Sequence, residues 1–233
     1  MGKVIDFAHG EARPLSPCVS AVPLLDWFDS SEMMAAILRL GPDGRHEIKV
    51  PAGSDQYLFV IAGTPRLDEG TLAPNTWVIL EEGKSFALAG AADILSITVP
   101  APGAGRGGAG FRGGYKAMPV ADLPIIDLPA EKKRRTYLAN KEIAGSERGH
   151  AMIVRYTGDT LTKRHHHPNA ESLFVVLEGK VEFLVDGRPR VLGPGEAAFF
   201  PMNDSHGLRS ADGNALSFLE FHIPGAFVTA YDE

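Results

Sequence analysis

The sequence of 233 residues predicts an all-β protein made of two similar barrel-like or sandwich-like halves. Three observations support this prediction. Turn-forming residues are abundant, with 26 glycines and 17 prolines. The apolar residues fall in short runs between turn residues, and helical periodicity is weak. The two halves also share a pattern of apolar and turn positions, which indicates an internal repeat.

The individual strands are predicted from short apolar runs bounded by Gly, Pro, Asp and Asn. In chain order these runs are Tyr57–Ile61, Trp77–Leu80, Ile94–Val99, His150–Tyr156, Leu173–Leu177, Val181–Val185, Ala197–Phe200 and Leu216–Ile223. Asp186 and Gly187 lie between two such runs and predict a tight hairpin turn. The best candidate helix is Ser30–Leu40, although its stretch Ala35–Leu38 fits a buried strand equally well.

A segment rich in glycine and proline, residues 100–114, predicts a flexible connector between the halves. It contains a G-x-G-x-x-G pattern at Gly103, Gly105 and Gly108. A dinucleotide site needs that pattern between a strand and a helix, but prolines flank it here and no helical pattern follows. We therefore divide the chain into a first barrel over residues 1–100, a linker over 101–130 and a second barrel over 131–233.

The repeat is visible where Asp55–Gly63 aligns with Glu171–Gly179. A further alignment in the following strands places Phe86 on His206. Apolar and turn positions agree between the halves, while the polar residues differ. The halves are therefore expected to share a fold and to differ in chemistry.

Composition excludes several classes of function. The formal net charge is −6, which makes general nucleic-acid binding unfavourable because phosphate neutralisation needs a basic face. The single cysteine, Cys18, permits no intrachain disulfide and no thiolate zinc site. Neither a signal peptide nor an apolar stretch long enough for a membrane span is apparent. We expect a cytoplasmic protein without nucleic-acid or membrane partners.

Three adjacent histidines, His165, His166 and His167, indicate where the chemistry lies. Side chains alternate between the faces of a strand, so His165 and His167 share one face and His166 lies on the other. Two neutral imidazoles on one face can bind a metal ion, and His206 is the candidate for a third ligand. The sequence therefore predicts a metal site in the second half.

These residues resemble the motifs of the cupin superfamily. The first motif corresponds to His165–Gly179, beginning with H-x-H, and the second to Gly187–His206, with its P-G-E turn and a later proline and histidine. The stretch 165–172 is similar to that of germins and bicupin oxalate decarboxylases. The two motifs cover about residues 163–210, and the barrel they imply covers roughly 145–225. The resemblance implies two cupin-type jelly-roll barrels, of which the second binds a metal.

The sequence departs from the germin-like pattern at the expected glutamate ligand. That position is Ser172, and the available carboxylate, Glu171, lies one residue earlier. A shift of one residue reverses the face of a strand. Either a β-bulge turns Glu171 inward, or the site consists of His165, His167 and His206 alone, as in some cupin dioxygenases.

The first half departs further from the motif. On the same register Lys49 and Pro51 occupy the first two histidine positions, and Phe86 occupies the third. Neither a protonated lysine nor a phenylalanine binds a cation. We therefore expect a degenerate first barrel without a metal, which serves packing or dimerisation.

The resemblance implies one divalent transition metal, Fe, Mn, Zn or Ni, and a small oxygenated organic substrate. We favour an oxygenase-like oxidoreductase with a His-ligated non-haem metal. The alternatives are a lyase, decarboxylase or isomerase on the same site, with Glu171 or Glu220 as general base, and a non-catalytic ligand-binding bicupin. Glu220 lies on a strand face with Phe218 and His222. A homodimer is expected from the resemblance.

Overall fold

The computed structural model describes residues 1–101 and 108–232, and the regular secondary structure of these residues is almost entirely β-strand. The all-β class is therefore confirmed. The chain divides into two compact units. The first unit comprises Gly10–Leu123 and Lys141–Arg148, and the second comprises Met1–His9, Pro124–Asn140 and the residues from Gly149 onward.

The strands are numbered along the chain after β1 (Lys3–Asp6), which belongs to the second unit. Those of the first unit are β2 (Arg13–Ser16), β3 (Val19–Leu25), β4 (Met34–Leu40), β5 (Arg45–Lys49), β6 (Asp55–Gly63), β7 (Arg66–Leu67), β8 (Gly70–Thr71), β9 (Thr76–Leu80), β10 (Ser85–Ala89), β11 (Ala92–Val99) and β12 (Tyr115–Pro119).

The remaining strands form the second unit together with β1. They are β13 (Ile125–Leu128), β14 (Lys133–Ala139), β15 (His150–Tyr156), β16 (Leu161–His166), β17 (Glu171–Glu178), β18 (Val181–Val185), β19 (Arg188–Leu192), β20 (Glu196–Phe200), β21 (His206–Ser210), β22 (Leu216–Ile223) and β23 (Ala230–Tyr231). The helices are two 3₁₀ turns, Val120–Asp122 and Pro129–Glu131, and α1 (Lys141–Ala144). No helix in the described ranges has the length and apolar character to cross a membrane.

Each unit is a double-sheet jelly roll. The first combines a seven-stranded sheet, β12-β9-β6-β11-β4-β3-β2, with a four-stranded sheet, β5-β10-β7-β8. The second combines β1-β20-β17-β22-β15-β14-β13 with β19-β18-β21-β16-β23. In both units apolar side chains from the two sheets form one buried core. The matching strand orders agree with the repeat in the sequence.

The units differ from the predicted boundaries of 1–100, 101–130 and 131–233. Strand β1 pairs with β20, and β12 from the predicted linker pairs with β9. Each of these short strands covers the outer edge of a seven-stranded sheet, where unpaired backbone groups would otherwise remain. Of the predicted glycine pattern, Gly103 and Gly105 lie outside the described residues.

The predicted helix Ser30–Leu40 is wrong, because Met34–Leu40 is strand β4 and is paired on both sides, with β3 and β11. The Ser30 hydroxyl accepts hydrogen bonds from the backbone N–H groups of Glu32 and Met33, at 3.1 and 2.9 Å. Such bonds are typical of helix starts, but here they close a turn that leads into a strand.

A buried ion pair ties α1 and the following loop to the first barrel. Asp55 is fully buried, and its Oδ1 lies 3.0 Å from Nη1 of Arg148. The Asp55 carboxylate also accepts hydrogen bonds from the Ser146 hydroxyl and the Phe111 N–H. Burial raises the pKa of Asp55, although these donors and Arg148 oppose the rise. The second guanidinium nitrogen of Arg148 contacts Glu82 at 2.7 Å.

Replacing Asp55 with alanine is expected to lower the free energy of unfolding by about 3–5 kcal/mol, because it leaves a buried guanidinium only partly compensated. Urea denaturation measures this change. The matched control is Glu47→Ala, which removes the exposed partner of Lys49 and should cost at most about 1 kcal/mol. Equal losses in the two variants would contradict a structural role for the buried pair.

Candidate metal centre

The interior of the second barrel changes from apolar to polar along its strands. On β22, the inward-facing Phe218 is followed on the same face by Glu220 and His222. On the neighbouring β17, Phe174 lies opposite Glu220, and Ser172 lies opposite His222. One end of the barrel interior therefore collects polar side chains next to an apolar core.

The structure brings His165, His167 and His206 together at this polar end. His165 lies near the end of β16 and is paired with His206 at the start of β21, while His167 directly follows β16. All three are buried, and each offers one ligand atom within 4.8 Å of the others. Their ring centroids are 4.5 to 5.4 Å apart.

Backbone carbonyls fix the orientation of the imidazoles. The Nδ1 of His165 donates to the carbonyl of Lys163 at 2.8 Å, and the Nδ1 of His206 donates to that of Asp204 at 3.0 Å. A carbonyl can only accept, so Nδ1 carries the proton in both rings and Nε2 keeps a lone pair. Metal-binding histidines are commonly held in this way.

The imidazole of His167 is also held by a backbone carbonyl, but this carbonyl comes from a distant part of the sequence. The Nδ1 of His167 donates to the carbonyl of Val228 at 2.9 Å. The Nε2 atoms of His167 and His206 are buried and have no hydrogen-bond partner. Buried polar atoms rarely lack a hydrogen-bond partner. The lone pairs on these two Nε2 atoms lie close together, so a bound cation would supply the missing partner.

His167 and His206 are neutral at physiological pH. Burial and the neighbouring histidines lower the pKa of His167 to about 4 and that of His206 to about 3. A metal ion therefore displaces no protons from these two ligands near pH 7. Three imidazoles suit iron, zinc, nickel or manganese and leave coordination positions open.

Glu171 is not brought to this group. The pairing of β17 with β22 is regular from Glu171 to Val176, and the register shift comes only after Val176. Glu171 therefore faces away from Ser172 and Phe174, which point into the barrel. It is buried on the opposite face, and among the described residues the three donors within 4.8 Å are all imidazoles. The bulge that would turn Glu171 inward is absent from this part of β17.

Glu220 is the carboxylate that faces the barrel interior. Its Oε1 accepts a hydrogen bond from Nε2 of His222 at 2.7 Å, and the Nδ1 of His222 lies 2.9 Å from the Ser172 hydroxyl. Burial alone would raise the pKa of Glu220, but His222, His167 and His165 lower it to about 2. The His222 ring lies 4.7 Å from that of His167. An ionised carboxylate thus lies beside the three histidines.

The corresponding positions of the first barrel are apolar. Phe86 pairs with Ile48 as His206 pairs with His165, and Val50 follows β5 as His167 follows β16. Lys49, predicted at the first ligand position, is exposed and contacts Glu47. The alignment was one residue out of register, so Ile48 and Val50 replace the first two histidines. All three replacements lie in the hydrophobic core.

Sequence reasoning missed the C-terminal tail, residues 224–232. The Phe227 ring stacks on His222 with centroids 3.9 Å apart, and Val228 supplies the carbonyl that binds His167. A backbone carbonyl has no residue-type signature, and the tail has no periodic pattern. The sequence therefore held no signal that linked this segment to the histidines.

Comparison with known proteins agrees with this architecture. The family profile described as "Cupin domain" matches residues 152–222. The chain is similar to Ylba from E. coli, with 12% identity, a TM-score of 0.77 and coverage of 97% of this chain and 92% of that chain. It is also similar to the oxalate decarboxylase of Lactobacillus farciminis, with 12% identity, a TM-score of 0.74 and coverage of 98% and 88%.

One curated relative shares higher identity over a short stretch. Dimethylsulfoniopropionate lyase DddQ from Ruegeria pomeroyi is 45% identical over 49 residues, which are 21% of this chain and 24% of that protein. The match spans about a quarter of the length of that relative. The solved structures therefore agree on fold, and this relative matches only a segment.

The stability of the metal-free protein should depend on pH. The pKa values of His167 and His206 in the folded state lie below the ordinary value of 6.5. Below about pH 6.5 the unfolded chain therefore binds protons that the folded state does not bind. The free energy of unfolding should be constant above about pH 7 and fall as the pH drops from 6.5 toward 4. Urea denaturation in a chelating buffer measures this.

Replacing both histidines with glutamine should reduce that pH dependence. An identical pH dependence in the wild type and the double variant would contradict the assignment of the two buried neutral imidazoles.

Purified protein should contain about one divalent metal ion per chain, as a three-ligand site binds one ion. His206→Ala should remove it, because two imidazoles hold an ion much more weakly than three. Elemental analysis measures the content, with His46→Ala in the first barrel as the control. Equal metal content in the two variants would rule out His206 as a ligand.

Proposed function

Because residues 152–222 match the cupin domain family, we propose that the second barrel is a metal-dependent active site that acts on a small carboxylate substrate as a lyase or decarboxylase, with a side chain of the site as proton acceptor or donor. The observation that carries the proposal is the ionised Glu220, hydrogen-bonded to buried His222 beside His165, His167 and His206. His165, His167 and His206 would hold the ion, which supplies Lewis acidity toward a bound carboxylate or carbonyl.

The charge of the site favours an anionic substrate. Burial keeps His167 and His206 neutral, and Glu220 contributes one negative charge. With a divalent cation, the site carries a net positive charge in a poorly solvated interior. A monocarboxylate neutralises that charge, whereas a cationic or neutral substrate does not.

Glu220, His222 and Ser172 form a hydrogen-bonded chain that can hold a proton. Since Glu220 is ionised, Nε2 of His222 donates to it, and Nδ1 of a neutral His222 accepts from the Ser172 hydroxyl. A pKa of about 2 makes Glu220 a weak base in the free protein. The negative charge of a bound carboxylate substrate would raise that pKa, which would make the Glu220–His222 pair an acceptor for a substrate proton.

Aromatic side chains restrict the space around the histidines. Phe200 stacks on His206 with centroids 4.3 Å apart, Phe174 lies 5.5 Å from the same ring, and Phe227 covers His222. Such an aromatic lining favours a small substrate with few polar groups beyond its carboxylate. It also excludes water, which strengthens the electrostatic interactions within the site.

The comparisons support this class of reaction without assigning it. The short segment match is to a lyase, and several structural neighbours are oxalate decarboxylases. Both names contain a carboxylate substrate, a propionate in one and oxalate in the other. The oxalate decarboxylases are 12–14% identical to this chain, so their similarity supports the fold alone. The reaction is our proposal.

The second candidate is the oxygenase-like oxidoreductase predicted from the sequence. It is supported by the donor set itself, because among the described residues the clustered donors are three imidazoles without a carboxylate. Iron would suit this reaction, whereas manganese, zinc or nickel would suit the lyase. The metal found in the purified protein is thus a first discriminator.

We also propose that the protein acts in the cytoplasm as a homodimer, without nucleic-acid or membrane partners. Its one cysteine, Cys18, is exposed and free, as is usual in a reducing compartment. Exposed apolar side chains on the edge strands β2 and β13, among them Leu15 and Ile125, are candidates for a subunit contact.

Glu220→Gln keeps the shape of the side chain and removes its charge. We expect metal affinity to fall about 10–100-fold, as for other groups that support metal ligands, and turnover to fall about 10²–10⁴-fold. Isothermal titration with Zn²⁺ measures the affinity. The control is Glu182→Gln, which changes an exposed pair with Arg209 on the same barrel. Unchanged affinity and turnover in Glu220→Gln would exclude a role for this carboxylate.

The reaction class is tested with protein loaded separately with Fe²⁺, Mn²⁺, Zn²⁺ and Ni²⁺. Each form is incubated with small β-substituted carboxylates, dicarboxylates, enols and phenols. NMR detects elimination or loss of CO₂, and an oxygen electrode detects O₂ consumption. Product without O₂ uptake supports the lyase or decarboxylase. Substrate-dependent O₂ uptake supports the oxygenase instead, and no turnover with any metal favours a ligand-binding protein.

A further inference from the structure

The C-terminal tail, residues 224–232, lies directly against the metal centre. Its strand β23 pairs with β16, so that Tyr231 lies opposite His165 and Ala230 opposite His166. Before β23, the Phe227 ring stacks on His222 and meets the His167 ring edge-on, with centroids 5.1 Å apart. The tail therefore runs along one side of the histidine group.

The three histidines differ in how their Nδ1–H groups are held. His165 and His206 each donate to a carbonyl two residues earlier in the chain. Those bonds are local and persist wherever the strands form. His167 instead donates to the carbonyl of Val228, 61 residues away. The orientation of one ligand out of three thus depends on the position of the tail.

Asn169 fixes that part of the tail. Its side-chain Nδ2 donates to the carbonyl of Ala226 at 2.9 Å, and its Oδ1 accepts from the N–H of Val228 at 2.8 Å. The two bonds lie on either side of Phe227 in the sequence. Asn169 uses both the N–H and the oxygen of its side-chain amide, as a backbone residue does in a β-bridge. The two bonds hold the Val228 carbonyl toward His167.

A second attachment lies beyond Val228. The Asp232 carboxylate contacts Arg164 at 2.9 Å and His166 at 3.1 Å, and it accepts a hydrogen bond from Ser205. Between these attachments, the side chains of Val228 and Thr229 are exposed and bury little apolar surface. The tail is therefore held by specific polar contacts as well as by the Phe227 ring. The Thr229 hydroxyl lies 3.4 Å from Nδ1 of His167, and Asn169 makes the two hydrogen bonds on either side of Phe227.

We propose that the tail is a functional part of the metal centre and that Asn169 is a positioning residue. By its two hydrogen bonds to Ala226 and Val228, Asn169 places the Val228 carbonyl on Nδ1 of His167, so that Nε2 of His167 faces the ion. The inference rests on the proposed metal binding and is independent of the reaction. It assigns a role to Asn169, which lies within the histidine-proline-asparagine stretch singled out in the sequence.

The first test compares Asn169→Ala with Asn214→Ala. Asn214 is an exposed residue in the turn before β22, so its substitution matches the chemistry without touching the tail. Affinity for Zn²⁺ is measured by competition with a chelator, and the visible spectrum of the Co²⁺ form reports ligand geometry. We expect Asn169→Ala to weaken binding about 10–100-fold and to alter the Co²⁺ spectrum at saturation. Asn214→Ala should match the wild type.

Two further variants separate positioning from general stability. Asn169→Asp keeps an acceptor for the Val228 N–H and loses the donor to Ala226, so its affinity should lie between those of the wild type and Asn169→Ala. Val228→Pro removes the N–H that Asn169 binds and leaves the bond to Ala226, so it should reproduce part of the loss. Combining Val228→Pro with Asn169→Ala should weaken binding no further than Asn169→Ala alone, because both break the same contact.

The saturated Co²⁺ spectrum distinguishes ligand geometry from a loss of fold, since a merely less stable protein regains the wild-type spectrum once it is loaded. Wild-type affinity and spectrum in both Asn169→Ala and Val228→Pro would overturn the inference. Absence of metal binding by the wild type would overturn the inference and the proposed function together. Metal binding without turnover on any substrate would count against the proposed reaction alone.

Discussion

The hydrogen bonds from three Nδ1–H groups to backbone carbonyls determine what the second barrel can do. They assign the proton of each imidazole to the outer nitrogen and leave Nε2 of His165, His167 and His206 directed to one place. The acceptors are main-chain groups, so the fold itself sets the geometry of the donors. Burial then keeps His167 and His206 neutral, and Glu220 adds the one negative charge that a purely imidazole set lacks.

Much of the fold could be predicted from the sequence, because short apolar runs between turn residues are a local signal. The limits of β15, β18 and β22 agree with the predicted runs, and Asp186 and Gly187 both have positive φ angles, as a tight hairpin turn requires. The helix predicted from Ser30 was wrong because pairing with two distant strands overrides a local capping signal. The boundaries differed for the same reason: nothing local in residues 3–6 or 115–119 indicates which sheet edge they cover.

The candidate site was predictable only as far as residue type and strand alternation reach. A histidine pair spaced by one residue predicts a shared face, and the structure brings both to His206. Strand alternation also predicted that Glu171 would face away from the histidines unless a β-bulge reversed it. Whether such a bulge forms depends on the pairing of β17 with β22, which is regular at Glu171. The roles of the Val228 carbonyl and of Asn169 depend on contacts across about sixty residues of chain, for which a single sequence has no pattern.

The internal repeat indicates how little of the scaffold has to change to make or remove such a centre. Ile48, Val50 and Phe86 occupy in the first barrel the places that three histidines occupy in the second. Apolar side chains there extend the core and contribute hydrophobic stabilisation, whereas buried imidazoles with unpaired Nε2 atoms cost free energy until a cation binds. The first barrel therefore fills these places with core side chains, whereas the ion proposed for the second barrel would stabilise its folded state on binding.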